Sequence, residues 1–232
     1  MNDVEIRAHP KFFNVYVSGS PENLKLYTKN LVPGINVYGE KLINFRDVEY
    51  REWDPYRSKL AAILLKNPRL NFLEKNLNCL YLGASSGTTI SHLSDIIIEG
   101  VIYGVEFAPR SMRQLVQNTS ERNNIIPISG DANYPENYAK AIFTRIDLIY
   151  QDVAQPNQAE IALKNCNYYL KKGGILILAI KSQSIDSLAN IEKIFNEEKK
   201  VLENSGYEII ESINIQKHAD KHAVLITKKI SG

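Results

Sequence analysis

The sequence predicts an α/β protein: a Rossmann-like, mostly parallel sheet closed by an antiparallel strand pair, preceded by a small antiparallel β domain. Three observations carry that prediction. From about residue 78, short apolar strand-like runs alternate with helical patterns, the arrangement that builds a parallel sheet covered on both faces. The last two strand-like runs follow each other across a short polar loop, and strands in direct succession pair antiparallel. Residues 1–50 instead alternate apolar and polar with period two between turn clusters, the mark of a half-buried antiparallel sheet.

Taken in order, the N-terminal pattern places strands at 4–7, 13–17, 24–28 and 35–38, with turns at Ser18-Gly19-Ser20-Pro21 and Val32-Pro33-Gly34. Residues 50–57 read as a linker-like bridge, so a β domain over 1–52 is expected to precede a second domain over 53–232. Ser58 is placed to cap a helix over 59–65. Strands are then expected at 79–82, 101–107, 125–129, 146–151 and 174–180, and helices at 88–97, 109–120, 135–143, 157–170 and 185–204. Strands at 207–215 and 222–227 close the series.

Composition narrows the class. With 28 basic and 26 acidic residues the net charge is only +2, too small to mark a free-standing nucleic-acid binder. Cys79 and Cys166 sit in apolar contexts and read as reduced core residues rather than a disulfide framework. The opening residues are charged, unlike a signal peptide, and no apolar run approaches the ~20 residues of a membrane span. A cytoplasmic protein without membrane contact is expected. No metal site is expected either, because His218 and His222 are separated by a turn rather than one helical turn.

The most informative stretch joins the first strand of the second domain to its helix: Gly83-Ala84-Ser85-Ser86-Gly87, then Thr88-Thr89. Such a turn lets backbone approach a ligand and aims helix N-terminal N–H groups at it. It is neither Gly-x-Gly-x-x-Gly nor a P-loop, which argues against a pyrophosphate and suits a cofactor without phosphate. Glu106, Asp131 and Asp152 recur after the next three strands, and an open parallel sheet binds ligand beyond its carboxyl edge. Glu106 suits a ribose diol and Asp131 an adenine amino group. One strand-end carboxylate alone is more often a helix cap; recurrence after successive strands is what favours a site. His92, one turn into the helix, reads as a packed histidine.

Longer motifs then resemble the fibrillarin family, in its short archaeal form. They are Trp53-Asp54-Pro55-Tyr56-Arg57-Ser58-Lys59, the Gly83–His92 stretch, Val105-Glu106-Phe107-Ala108-Pro109-Arg110, Asp152-Val153-Ala154-Gln155-Pro156-Asn157-Gln158 and Ile180-Lys181-Ser182-Gln183. The resemblance implies methyl transfer from S-adenosylmethionine to ribose 2′-hydroxyls of ribosomal and transfer RNA. It also implies work within a C/D box guide RNA particle that contains a Nop-family scaffold protein and a kink-turn-binding ribosomal-type protein. Cofactor contact is implied for Thr88, Thr89, Glu106, Phe107, Asp131, Ala132, Asp152 and Gln155, beside the loop residues Gly83, Ala84, Ser85 and Gly87. The implied catalytic set is Lys59, Asp152, Lys181 and His222. Ser85 stands where many relatives carry alanine.

The chemistry suits those residues. A hydroxyl attacking an electrophilic sulfonium needs in-line placement, which can contribute about 7–11 kcal/mol, and a base, worth about 10²–10⁴-fold. A lysine serves as base near neutrality only if its pKa falls by roughly two to three units from ~10.4; another amine nearby and exclusion of water push it that way. Lys181, ending an apolar strand at the ligand edge, is the expected base, with Lys59 placing the hydroxyl and His222 orienting the set. Arg57, Arg110 and Arg113 are expected RNA contacts, with guide pairing and partners supplying most affinity. A protein side-chain methyltransferase and a non-catalytic cofactor-binding scaffold remain the alternatives.

Overall fold

The structure is a computed structural model that describes residues 5–186 and 190–230. Its N-terminal portion is a five-stranded antiparallel sheet of β1 (Arg7–Ala8), β2 (Val15–Ser18), β3 (Lys25–Lys29), β4 (Leu42–Phe45) and β5 (Val48–Trp53), in the order β1-β2-β3-β5-β4. Two sequence readings change here. The expected strand at 35–38 is a loop, because the Glu40 carboxylate gathers the N–H groups of Val37 and Tyr38 at 2.8–3.2 Å. The supposed linker from residue 50 is instead strand up to Trp53, which pairs with Leu26 of β3. Alternation was masked there by charged side chains that the fold buries: Arg51 is fully enclosed. The expected first strand reduces to Arg7–Ala8, and Val4 lies outside the described residues.

The second portion contains α1 (Lys59–Leu65), β6 (Cys79–Leu82), α2 (Thr88–Ile96), β7 (Ile102–Glu106), α3 (Pro109–Thr119), β8 (Ile125–Ser129), β9 (Ile146–Gln151), α4 (Gln158–Tyr169), β10 (Leu170–Lys181), α5 (Ser182–Ile185), α6 (Ile191–Asn204), β11 (Tyr207–Asn214) and β12 (His222–Lys229). The sheet order is β11-β12-β10-β9-β6-β7-β8. Neighbours from β10 to β8 are parallel, and β12 pairs antiparallel with both β10 and β11. The expected helix at 135–143 is a 3₁₀ segment at Pro135–Ala141, broken at Tyr138 (φ −118°). Of the expected helix at 185–204 the structure shows α6 from Ile191; α5 is a separate short turn that ends at Ile185, and residues 187–189 lie outside the described residues. Asn190 caps α6 by accepting the Glu192 N–H at 2.8 Å.

Period-two alternation sorts each central strand between two cores. Tyr81, Tyr150, Ile177, Ala179, Val224 and Ile226 face α1, α2 and the N-terminal sheet. Leu80, Leu82, Ile149, Leu176, Leu178, Ile180 and Leu225 face α4 and α6. The first core is continuous with Phe12, Val15, Val17, Leu26 and Trp53, so the two sheets share buried apolar contacts. The division expected at residues 52 and 53 falls within β5. Burial pushes the thiols of Cys79 and Cys166 upward, and neither is bonded to the other.

A buried charge network bolts the N-terminal sheet to α2. Arg51 bridges Glu40 at 2.6 Å and Asp95 at 2.8 Å, and Arg122 reaches the other Asp95 oxygen at 2.7 Å. Thr28 donates to Asp95 at 2.6 Å. His92 lies flat on Trp53, with ring centroids 4.7 Å apart, and its two nitrogens meet Thr28 at 2.8 Å and Tyr38 at 2.7 Å. It is a packed histidine, as expected. Among the described residues no helix is long and apolar enough to cross a membrane, and no cluster of His, Cys, Asp and Glu could hold a metal ion.

Candidate functional site

Three left-handed residues shape the loop after β6: Gly83 (φ +84°), Ser85 (+52°) and Gly87 (+105°). A side chain at Gly83 would run into the backbone carbonyl of Asp152, so the loop threads closely between strand ends. The N–H groups of Gly83 and Ala84 reach the Val105 carbonyl at 2.9 and 3.1 Å. The next N–H, that of Ser85, donates to Glu106 at 2.7 Å, and the other Glu106 oxygen accepts from Ala108 at 2.8 Å. Glu106 is thus fixed by two backbone donors while each oxygen keeps a lone pair for a vicinal pair of hydroxyls.

Around this carboxylate lies a cavity of about 310 Å³, lined by Gly83, Ser85, Glu106, Phe107, Asp131, Ala132, Asp152 and Gln155 among others, within the range of small-molecule sites. Phe107 is 67% exposed and offers it an aromatic face. Asp131 Oδ1 accepts from the Asn133 N–H at 2.9 Å and from the Gln155 amide at 3.1 Å. Burial raises the Asp131 carboxyl, but those donors outweigh it and hold it below its ordinary value. Other residues expected at the site lie around this cavity rather than on it. Ala84 and Thr89 are buried, Gly87 starts α2 in left-handed geometry and Thr88 follows it. The Thr89 hydroxyl donates to Ser58 Oγ at 2.9 Å.

That contact leads to the second half of the site. Ser58 caps α1 by accepting from the Ala61 N–H at 3.4 Å, placing Lys59 at the helix start. Lys59 Nζ meets Asp152 Oδ2 at 2.9 Å, both side chains being about one-fifth to one-quarter exposed (24% and 19%). Strand parity brings the rest together. Asp152 continues the face of Tyr150, Lys181 that of Ile177 and Ala179, and His222 that of Val224 and Ile226, all toward α1. Lys181 and His222 are direct cross-strand partners.

His222 Nδ1 lies 2.6 Å from the Asp220 carbonyl. A carbonyl only accepts, so Nδ1 carries the proton and Nε2 the lone pair. That Nε2 is buried without a hydrogen-bond partner among the described residues. Burial lowers the imidazole pKa first; the Asp220 carbonyl raises it, Lys59 lowers it, Asp152 raises it and Lys181 lowers it, for a net fall. His222 is therefore neutral near pH 7, in electrostatic reach of the other three. The arrangement offers two amines, a carboxylate and an uncharged acceptor beside a cavity suited to a nucleoside.

The three expected RNA contacts are dispersed. Arg57 donates to the Tyr38 carbonyl at 2.9 Å and stacks over its ring at 4.7 Å, whereas Arg110 and Arg113 project from the exposed face of α3. Arg57 borders a wider cleft of about 520 Å³ that includes Lys66, Lys217 and His218. Sequence reasoning did not assemble these residues, since Arg57 and Lys66 lie about 150 residues before Lys217 and His218. It also gave Gln158 no role, although Gln158 is fully buried and bonded to the Lys181 backbone.

The fibrillarin family model matches residues 6–231. A relative from Methanocaldococcus jannaschii, named fibrillarin-like rRNA/tRNA 2′-O-methyltransferase, is 45% identical over 227 residues, 97% of each chain. Aeropyrum pernix fibrillarin, solved with natively bound S-adenosyl-L-methionine, superposes with a TM-score of 0.87 at 43% identity, covering 97% of this chain and 99% of that one. The fibrillarin chain of a fibrillarin/Nop5p complex gives 0.81 at 41% identity, covering 89% and 94%. Agreement of this extent, in sequence and in fold together, means that the chain belongs to the fibrillarin family.

Proposed function

We propose that the chain transfers methyl from S-adenosylmethionine to ribose 2′-hydroxyls of ribosomal and transfer RNA, as the catalytic subunit of a C/D box ribonucleoprotein. The observation that carries this reading is the convergence of Lys59, Asp152, Lys181 and His222 on one sheet face beside the Glu106 cavity. The M. jannaschii relative is named for this reaction, the A. pernix protein binds this cofactor, and a fibrillarin is found with Nop5p. A Nop-family scaffold is accordingly the first partner. C/D box guide RNA and a kink-turn-binding protein would complete the particle, acting in the cytoplasm.

The residues present fit the cofactor. Glu106 has two prepositioned acceptors for a ribose diol, Asp131 keeps Oδ2 for an adenine amino group, and Phe107 offers a stacking face. A Cβ at Gly83 would crowd the cradle. Ser85, Ala132, Asp152 and Gln155 would complete the holding residues, with Gly83, Ala84, Gly87, Thr88 and Thr89 shaping the loop around them. When bound, S-adenosylmethionine supplies a methyl group on a positively charged sulfur.

Everything else is the work of the chain. Asp152 holds Lys59 so that its ammonium places the target hydroxyl or an adjoining phosphate. Lys181, in its free-amine form, takes the hydroxyl proton as the oxygen attacks. His222 offers Nε2 as an uncharged acceptor that orients a neighbouring lysine N–H without neutralising it. Arg57, Arg110 and Arg113 contact RNA phosphates.

The test is labelled methyl transfer by a reconstituted guide complex, mapped by nucleotide. One ribose opposite the guide should be methylated, and Lys181→Ala should lower turnover by at least about 100-fold while retaining cofactor binding. Label on protein rather than RNA, or none at all, overturns the reading.

A further inference from the structure

The end of the strand carrying Lys181 is held by a side chain outside the proposed catalytic set. On one edge β10 is paired with β12 as far as Lys181 itself. On the other edge β9 stops early, and the last pairing is Leu178 with Gln151. The β9-facing backbone beyond Leu178 therefore has no strand neighbour, and at Lys181 the Gln158 carboxamide takes its place. The Lys181 N–H donates to Gln158 Oε1 at 2.9 Å, and Gln158 Nε2 donates to the Lys181 carbonyl at 3.1 Å. One primary amide thus supplies the acceptor and the donor that a neighbouring peptide chain would supply.

Gln158 is itself well braced. It is fully buried and is the first residue of α4. Its own carbonyl accepts from the Gln151 side chain at 2.7 Å, and Gln151 is the last residue of β9. The end of β9, the start of α4 and the end of β10 are thereby linked at Lys181, whose amine takes the hydroxyl proton in the proposed chemistry.

We infer that Gln158 is a positioning residue for Lys181, standing in for the missing strand so that the amine is presented at a fixed angle to the sugar hydroxyl. The inference rests on the reading that Lys181 serves methyl transfer.

Two variants test it. Gln158→Met keeps the volume and loses both bonds; Gln158→Glu keeps an acceptor for the Lys181 N–H and loses the donor. In the reconstituted guide complex, kcat should fall about 10- to 100-fold for Gln158→Met, the range that follows a misplacement of about 1 Å, and by less for Gln158→Glu. The Kd for S-adenosylmethionine should stay within about twofold, and the Lys181 amide hydrogen should exchange faster. In a Lys181→Arg background Gln158→Met should cost less than about threefold, because residues acting through one another are not additive.

Unchanged kcat, an equal loss in both backgrounds, or a parallel loss of cofactor affinity overturns the inference. If Gln158→Met does not fold, Gln158→Glu carries the same readings. If Lys181→Ala is inactive while Gln158→Met turns over normally, only this inference falls. If Lys181→Ala turns over normally, the functional reading falls with it.

Discussion

Replacing Gly83 by alanine adds one methyl group at the tightest point of the loop after β6, and the structure shows what that group meets. Gly83 has φ +84°, and the new Cβ would overlap the Asp152 carbonyl oxygen, with Val153 Cγ1 at 3.4 Å. The chain entering Asp152 is held, its N–H donating to the Leu82 carbonyl at 2.9 Å. Gly39 supplies the control: its φ is +85°, yet nothing lies within 4 Å of a Cβ there. Both substitutions share a left-handed penalty of about 1–2 kcal/mol, whereas only Gly83→Ala adds an overpacking cost of about 1–3 kcal/mol. Gly39→Ala should then cost ~1–2 kcal/mol and Gly83→Ala ~2–5 kcal/mol. At about 2–4 °C per kcal/mol for a chain of this size, Tm falls by roughly 2–8 °C and 4–20 °C respectively. Relief of the clash must move the loop or Asp152, both on the cavity. Calorimetric titration with S-adenosylmethionine should therefore show at least about tenfold weaker binding, or 1.4 kcal/mol, for Gly83→Ala and none of this for Gly39→Ala. Equal Tm losses, or native cofactor affinity in Gly83→Ala, would refute the reasoning.

Asp95→Ala leaves Arg122 without its carboxylate and Arg51 with only Glu40; urea unfolding should show a loss of about 3–5 kcal/mol, and a loss under 1 kcal/mol would contradict the buried network. All four histidines, His9, His92, His218 and His222, are held below their ordinary pKa, His92 furthest, by burial first and then by Arg51 and Arg122. Below about pH 6.5 the unfolded chain therefore binds protons that the folded one refuses, so stability falls with acidification through that window and is flat above it. His92 alone contributes up to about 1.4 kcal/mol per pH unit. Unfolding at pH 7.5 and 5.5 measures this, His92→Gln should shrink the difference, and equal stability at both pH values would count against it. If Arg57, Arg110 and Arg113 each neutralise one phosphate, log affinity of the isolated chain for bare RNA should fall with log salt at a slope of about −2 to −3, or roughly 20- to 40-fold from 50 to 200 mM. Tight binding insensitive to salt, measured by fluorescence anisotropy, would argue against so sparse a footprint.

Legibility followed the range of the interactions. The helix over Lys59–Leu65 and the strands Cys79–Leu82, Ile125–Ser129 and Ile146–Gln151 could be read to the residue, since a cap or an apolar run marks each locally. So could the loop, because positive φ at Gly83 and Gly87 leaves its trace in residue type. Strand β5 could not, since its polar members Arg51 and Glu52 find partners in Glu40, Asp95 and Lys25 that are distant in sequence. The strand-like text at 35–38 failed for the complementary reason, a carboxylate two or three residues on capturing its N–H groups. Of the candidate site, the residue types recurring after strands were visible, but strand parity on a folded sheet was needed to aim Asp152, Lys181 and His222 the same way. Gln158 was legible as the end of a motif but not in its role, because a glutamine at a helix start is unremarkable until the neighbouring strand is seen to end short.

The position of β12 has a consequence for synthesis. It follows every other strand in the chain yet lies in the interior of the sheet, between β10 and β11, so β11 has no place to dock until the ribosome has delivered the residues after it. Until β12 arrives, β10 lacks the neighbour that now pairs with Ile175 through Lys181.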